Sequence, residues 1–245
     1  MNNNPNRVAR LTSSKISVLT VNGKGLYGFR AGAITYIKQC AMELDFGRSI
    51  SLPINKWEMS WGKAFEVFVH WQLGNEYELI VDKSTVHPKY PFYSGSEDFR
   101  VHINGGCIAE LKCYQMENFY KYSKCLEKQD IKLFKSEFKS EYWQIVSNSI
   151  IQNVQYGEAI AYMPTQADLL EMRRLIEDTD YIETNLKDDP FKYKFIVDRD
   201  LYDLPFIPEH SELKSMVKFR FEVPTEDKIF LLSRILDAKK VLDSL

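Results

Sequence analysis

Phe99-Arg-Val-His-Ile103 runs into Asn104-Gly105-Gly106 and returns as Cys107-Ile-Ala-Glu-Leu-Lys-Cys113. Apolar and polar residues alternate in the first run, turn formers fill the middle, and the third run is rich in strand formers. The stretch reads as a β-hairpin. Strand side chains alternate between faces, so Glu110 and Lys112 share one face while Leu111 takes the other. A three-residue loop pairs Ile103 with Cys107 and makes paired numbers sum to 210. Asp98 then stands opposite Lys112, on the face of Glu110. A two-residue loop would turn Asp98 to the other side of the sheet, and one slip in register undoes the convergence.

Upstream of the hairpin, the stretch from Met59 to Leu73 places Met59, Phe65, Phe68, Val69 and Leu73 on one apolar side at helical spacing, with Gly74 past its last turn. This predicts an amphipathic helix. Tyr77-Glu-Leu-Ile-Val-Asp82 changes to a period of two and predicts a strand, broken by Pro88 and Pro91. Downstream, the pattern predicts a helix over Tyr142 to Val154 closed by Gly157, then a strand over Glu158 to Met163 ending at Pro164. Residues 57–163 thus run helix, strand, strand, strand, helix, strand, an α/β (α+β) core with a mixed β-sheet flanked by helices. Farther out, Ala31 to Leu44 predicts a helix with Ile34, Ile37, Ala41 and Leu44 on one side. Residues 1–12 read as a polar, frayed leader, and Ser14 to Phe29 as a glycine-punctuated turn or hairpin. Beyond Pro164 the pattern predicts a polar helix over 165–178, a loop-rich stretch over 179–215, a strand from Val217 to Val223 and a last helix opened by Pro224. We expect one domain over residues 1–245.

The chain has 245 residues, 44% hydrophobic and 27% charged, which excludes wholesale disorder. Its 32 basic and 34 acidic residues leave a net charge of −2. Polyanion binding by bulk charge is excluded, and a local basic groove is not. No apolar run approaches the roughly 18 residues that span a bilayer, and the start, MNNNPNRVAR, lacks a signal-peptide core. The expectation is a cytoplasmic protein. The four cysteines, at 40, 107, 113 and 125, form no CxxC pair, so they read as free thiols, not zinc ligands or disulfides. His70, His87, His102 and His210 are scattered.

Four residues stand out by position. Glu66 sits mid-helix among apolar neighbours, Asp98 opens the outgoing hairpin strand, and Glu110 and Lys112 lie on the returning one. Two carboxylates converging on a half-buried sheet need a counter-charge. Oxygen donors without His or Cys suit Mg²⁺ or Mn²⁺, and such an ion with a nearby lysine suits hydrolysis of a phosphodiester. The bland alternative is a solvated Glu-x-Lys face with a weak ion pair, a surface Glu66 and an Asp98 that merely caps a strand.

Five stretches together resemble the PD-(D/E)XK nuclease superfamily. They are Arg30-Ala-Gly-Ala-Ile-Thr35, Trp61-Gly-Lys-Ala-Phe-Glu66, Ser94-Gly-Ser-Glu-Asp98, Ala109-Glu-Leu-Lys-Cys113 and Tyr142-Trp-Gln-Ile-Val146. Within it they are most similar to the phage lambda-type exonucleases and YqaJ-like viral recombinases. The resemblance covers about residues 30–164 and leaves 165–245 as a C-terminal elaboration. It implies a restriction-endonuclease-like core in α-β-β-β-α-β order. It implies a metal held by Asp98, Glu110 and the Leu111 carbonyl, with Glu66 completing the site, Lys112 positioning the attacking water and Gln144 supporting them. Arg30 and Thr35 are its DNA-binding candidates: Arg30 matches an arginine near the 5′-phosphate of the DNA end, although Ile37 stands where the family has a serine. The usual Ser-Pro-Asp-Gly turn is Ser96-Glu97-Asp98-Phe99, and Glu97 reads as solvated in preference to an extra metal ligand. The iron–sulfur branch of the superfamily needs a late cysteine cluster, and nothing after Cys125 is a cysteine.

The implied activity is a Mg-dependent deoxyribonuclease of the 5′-to-3′ exonuclease type acting on linear double-stranded DNA in phage-type recombination. The implied setting is the cytoplasm of a bacterial or phage-infected cell. A single-strand annealing partner and a ring-shaped homotrimer belong to the same implication. An endonuclease or nickase on the fold, or a catalytically inactive DNA-binding protein, stays open beside it. Between 119 and 143, lysines alternate with aromatics; Lys121 and Lys124 are the candidates there for phosphate contacts, against a plain helical arm with solvated lysines.

Overall fold

The computed structural model describes residues 5–50, 57–81 and 83–245. In chain order these form β1 (Leu11–Thr12), a 3₁₀ helix (Ser13–Thr20), α1 (Ala31–Phe46), α2 (Trp57–Leu73), β2 (Tyr77–Leu79), β3 (Thr85–Val86), β4 (Tyr93–Gly95), β5 (Phe99–Val101) and β6 (Cys107–Lys112). Then come α3 (Met116–Glu127), α4 (Ile131–Glu137), α5 (Lys139–Gln152), β7 (Tyr156–Tyr162), α6 (Gln166–Glu177), α7 (Thr179–Tyr181), α8 (Lys194–Asp198), β8 (Met216–Glu222) and α9 (Thr225–Asp243).

The main sheet has five strands in the order β2-β5-β6-β7-β8. Only β6 and β7 are parallel, and α3, α4 and α5 make the crossover between them. A parallel pair needs such a crossover because a tight turn cannot join strands that run the same way. A second sheet, β1-β4-β3, sits beside it. The main sheet separates two apolar layers. Ile108, Ala159, Phe219 and Phe221 face the layer that also holds α5, α9 and Phe134 of α4. Phe99, Ala109, Leu111 and Ile160 face the layer filled by Phe65, Phe68 and Val69 of α2 and Leu169 of α6. This is the mixed α/β arrangement expected, with helices on both faces.

The hairpin pairs Phe99 with Ala109, Arg100 with Ile108 and Val101 with Cys107. Paired numbers therefore sum to 208, not 210, and Asp98 falls opposite Glu110 instead of Lys112. Residues 102–106 make the turn, where Gly105 (φ 83°) and Gly106 (φ 66°) take left-handed conformations that a Cβ would penalise. The shift is by two, so the parity that puts Asp98 and Glu110 on one face survives it.

Other boundaries move as well. Residues 11 and 12 are no leader: Leu11 N–H donates to Phe92 O at 2.9 Å, and Thr12 N–H donates to the Tyr36 hydroxyl at 2.6 Å. The 14–29 stretch is mainly 3₁₀ helix, with one isolated bridge between Asn22 and Phe29. On α1 the buried face is Ala33, Tyr36, Ile37 and Cys40, while Ala41 is half-buried and Leu44 is exposed. Met59, expected inside, is exposed. The strand expected over 77–82 is short, and Asp82 lies outside the described residues. Helix α5 ends on Asn153 in a left-handed conformation; Gly157 belongs to β7, where a Cβ would strike Ile145. Within 179–215 lie α7, α8 and short helical turns, and Tyr181, Ile182, Leu186, Tyr193 and Ile196 from this stretch are buried. All four cysteines are free.

Candidate active site

Asp98 is placed by the ladder that continues one residue beyond β5: its N–H donates to Ala109 O at 3.2 Å, and its own carbonyl accepts from Ile80 N–H at 2.9 Å. Its Oδ2 accepts the Leu111 N–H at 2.7 Å, which locks the carboxylate against β6. Glu110 is fully buried (0% exposed) on the α5 side of the sheet. Gln144 and Asn148 sit four residues apart on α5 and so project from the same side of the helix. Gln144 Nε2 donates to Glu110 Oε2 at 2.6 Å, and Asn148 Nδ2 donates to Glu110 Oε1 and to the Ser96 carbonyl. Lys112 Nζ lies 3.6 Å from Glu110 Oε2 and 3.5 Å from Gln144 Oε1. One amide therefore ties the acid to the base, giving at its nitrogen and accepting at its oxygen.

Asp98, Lys112 and Gln144 line a cleft of about 480 Å³ whose wall also includes Glu66, Lys63 and Arg7, and Glu110 lies buried behind that wall. Glu66 reaches it from α2, which packs on the opposite face of the sheet. The negative charges of Glu66 and Asp98 both act on the Cys113 thiol, which desolvation and then these two acids push up. Burial raises Asp98 above the ordinary carboxylate range against the pull of Lys112 and of the Leu111 N–H. Glu110 rises further: burial is the main cause, and the charge of Asp98 adds to it. Desolvation works against the Lys112 ammonium, yet Glu110 and Asp98 outweigh it and hold the group protonated. Two acids and one base share a low-dielectric corner, and the acids are short of positive charge.

Among the described residues, no three His, Cys, Asp or Glu side chains already stand together as a metal cage. The donor chemistry nevertheless fits a hard dication. The charge of Asp98 disfavours ionised Glu110, Glu66 lines the same cleft, and neither imidazole nor thiolate is required.

The structure thus brings together Glu66, Asp98, Glu110, Leu111, Lys112 and Gln144. It does not bring Arg30, Thr35, Lys121 or Lys124 to the cleft wall. Arg30 Nε donates to Asn22 O at 2.9 Å beside the N-terminus of α1, and Thr35 is exposed on that helix. Lys121 pairs with Glu117 and Lys124 with Glu127 along the exposed face of α3, while Phe119, Tyr122 and Phe134 face the core. Glu97, expected in solvent, is 1% exposed; it accepts from Arg100 Nε at 2.8 Å and Gln152 Nε2 at 3.0 Å. Asn148, Arg7 and Lys63 are additions. Asn148 was findable, since it lies one turn past Gln144, whereas Arg7 reaches the cleft only through long-range pairing of the N-terminal segment.

No protein-family model matches the chain, and no curated protein matches it. Solved structures do. The alkaline exonuclease LHK-Exo of Laribacter hongkongensis, in its complex with dAMP, superposes with a TM-score of 0.59 at 11% identity, over 97% of this chain and 90% of that one. A second structure of LHK-Exo gives 0.55 at 11% identity, over 97% and 92%. A phage-related exonuclease from Haemophilus somnus 129PT gives 0.56 at 11% identity, over 96% and 94%. The chain has the fold of these alkaline and phage-related exonucleases.

Proposed function

We propose that this chain is a metal-dependent nuclease that hydrolyses phosphodiester bonds of linear duplex DNA, working as a 5′-to-3′ exonuclease in phage-type recombination. The observation that carries the reading is the convergence of Asp98, Glu110 and Lys112 beside one cleft, tied together by Gln144, in a chain with an exonuclease fold. Asp98, Glu110, the Leu111 carbonyl and Glu66 would hold Mg²⁺ or Mn²⁺. When bound, the ion polarises a phosphoryl oxygen and lowers the pKa of water. Lys112, protonated between two acids, orients the attacking water and balances charge on the phosphate. Gln144 and Asn148 hold both oxygens of Glu110, so that the carboxylate would meet the metal without reorganising. A ring-shaped homotrimer, a single-strand annealing partner and a cytoplasmic setting belong to the same proposal; no described helix is long and apolar enough to cross a membrane.

The test is digestion of 5′-phosphorylated linear duplex beside closed circular DNA, with and without Mg²⁺, using Glu110→Ala and Lys112→Ala as controls. Loss of linear DNA alone, abolished by either substitution, is the expected result. Cutting of the circle makes the enzyme an endonuclease with the same residues. Binding without cutting, in Mg²⁺ or Mn²⁺, overturns the catalytic assignment and leaves a DNA-binding protein.

A further inference from the structure

A second depression of about 220 Å³ adjoins the cleft, and the two share Arg7, Thr12 and Ser14 in their walls. Its remaining charged residues are Arg10, Lys15 and Glu43. Two of these charges are already committed to backbone. Arg10 donates to the carbonyls of Pro91, Pro5 and Val8 at 2.8, 2.6 and 3.3 Å. Glu43 accepts from Ala9 N–H at 3.0 Å, Ser49 Oγ at 3.2 Å and Ile50 N–H at 3.3 Å. Both pin the segment ahead of β1 in place, including Ala9, which takes a left-handed conformation (φ 59°) unfavourable for a residue with a Cβ. Arg7 and Lys15 have no such commitment. Arg7 donates to the neutral Ser14 hydroxyl at 3.1 Å, and Lys15 Nζ lies 5.6 Å from the centre of the Tyr36 ring. Both are exposed, and among the described residues no carboxylate pairs with either.

The result is a groove whose acid faces inward and whose two available cations face outward, with the hydroxyls of Ser14 and Thr12 between them. Cations spaced along a groove that continues from a hydrolytic cleft suit the phosphates of a strand, and hydroxyls add donors to phosphate oxygens. We infer that Arg7 and Lys15, with Ser14, hold internal backbone phosphates of the DNA strand on its way into or out of the cleft. This rests on the nuclease reading for the identity of the ligand. It assigns to the N-terminal segment a task separate from the carboxylate site: it holds the polymer, not the reacting bond.

The experiment is fluorescence anisotropy on the full chain in EDTA, where no hydrolysis intervenes. The probes are labelled single strands of about 3 and about 12 nucleotides, a span that brackets one binding site. The wild type binds the longer strand more tightly. In R7Q/K15Q that advantage falls about tenfold or more, and the log–log salt slope flattens by between one and two, as expected when two phosphate contacts go. K89Q, which removes one charge elsewhere, shows neither change and separates the groove from bulk charge. Equal length dependence in the wild type and R7Q/K15Q overturns the inference, as does a wild type that binds neither strand. A loss confined to strands bearing a 5′-phosphate, and absent from 5′-hydroxyl strands, also overturns it, because the groove would then hold an end. Failure of the nuclease reading shows elsewhere, as binding without Mg²⁺-dependent cleavage.

Discussion

Glu110 and Glu158 sit on adjacent strands of one sheet, 0% and 1% exposed, and point to opposite faces. Glu158 is matched: Arg220 Nε and the Tyr77 hydroxyl (2.7 Å) each hold one of its oxygens, and Arg220 also donates to Tyr77 at 3.1 Å. Its charge is met by a guanidinium, the partner best suited to a buried carboxylate. Glu110 is met by two neutral amides, by a lysine at 3.6 Å and by the repulsion of Asp98. One glutamate closes a structural ion pair. The other is held in position but left short of positive charge, which is what the proposed metal site asks of it.

The largest expected effect breaks the pair apart by function. Glu110→Ala lowers nuclease turnover about a thousandfold or more, as loss of a group that organises the reacting centre does, whereas Glu158→Gln leaves the turnover of the folded protein unchanged. Steady-state rates normalised to folded protein check this. Stability reverses the order. Glu158→Ala costs about 2–4 kcal/mol in urea unfolding because Arg220 loses its partner, with Arg220's partial exposure keeping the figure below that of a fully buried pair. A Glu158→Ala protein as stable as the wild type would show that the matched pair is not structural.

Titration sharpens the contrast. The folded state raises Glu110 and Asp98 above their unfolded values, with burial the main cause. A raised carboxylate favours folding below its unfolded pKa, and that advantage is lost as pH rises through the folded value. The metal-free protein should therefore melt lower at pH 8 than at pH 5.5, and Glu110→Gln should remove much of that fall. Scanning calorimetry in EDTA at the two pH values checks it, and adding Mg²⁺ should offset the fall in the wild type.

The smallest effect belongs to Asp188, which desolvation works to raise but which Lys192, the Asp189 N–H and Lys63 together hold at about 2. A depressed carboxylate contributes above its unfolded pKa and loses that contribution as pH falls through 2. Asp188→Asn should cost less than about 1 kcal/mol at pH 7, discounted for the solvent around the pair, and only a small part of that as the pH nears 2. Melts at the two pH values decide it.

The hairpin, the α2 helix and the face shared by Glu110 and Lys112 were legible in the sequence because period and turn chemistry are local. The alternation of 107–113 determines which side chains share a side whatever the fold does around them. The convergence of Asp98 with Glu110 was legible for a weaker reason: parity tolerates a shift of two residues, so the true register kept both on one face. What decided that register was tertiary. The β5 strand is held between β2 and β6, and Asp98 is locked by the Leu111 N–H, contacts that no local pattern encodes. The same holds for Glu97, solvated by default composition yet buried by Arg100 and by Gln152 from a helix 55 positions away. It holds most of all for residues 5–12, polar and leader-like in isolation. Leu11 and Thr12 become a strand because β4, 82 positions on, offers an edge to pair with, and that pairing carries Arg7 to the cleft wall. Local chemistry specified which groups could act; only the long-range pairing of strands decided which of them meet.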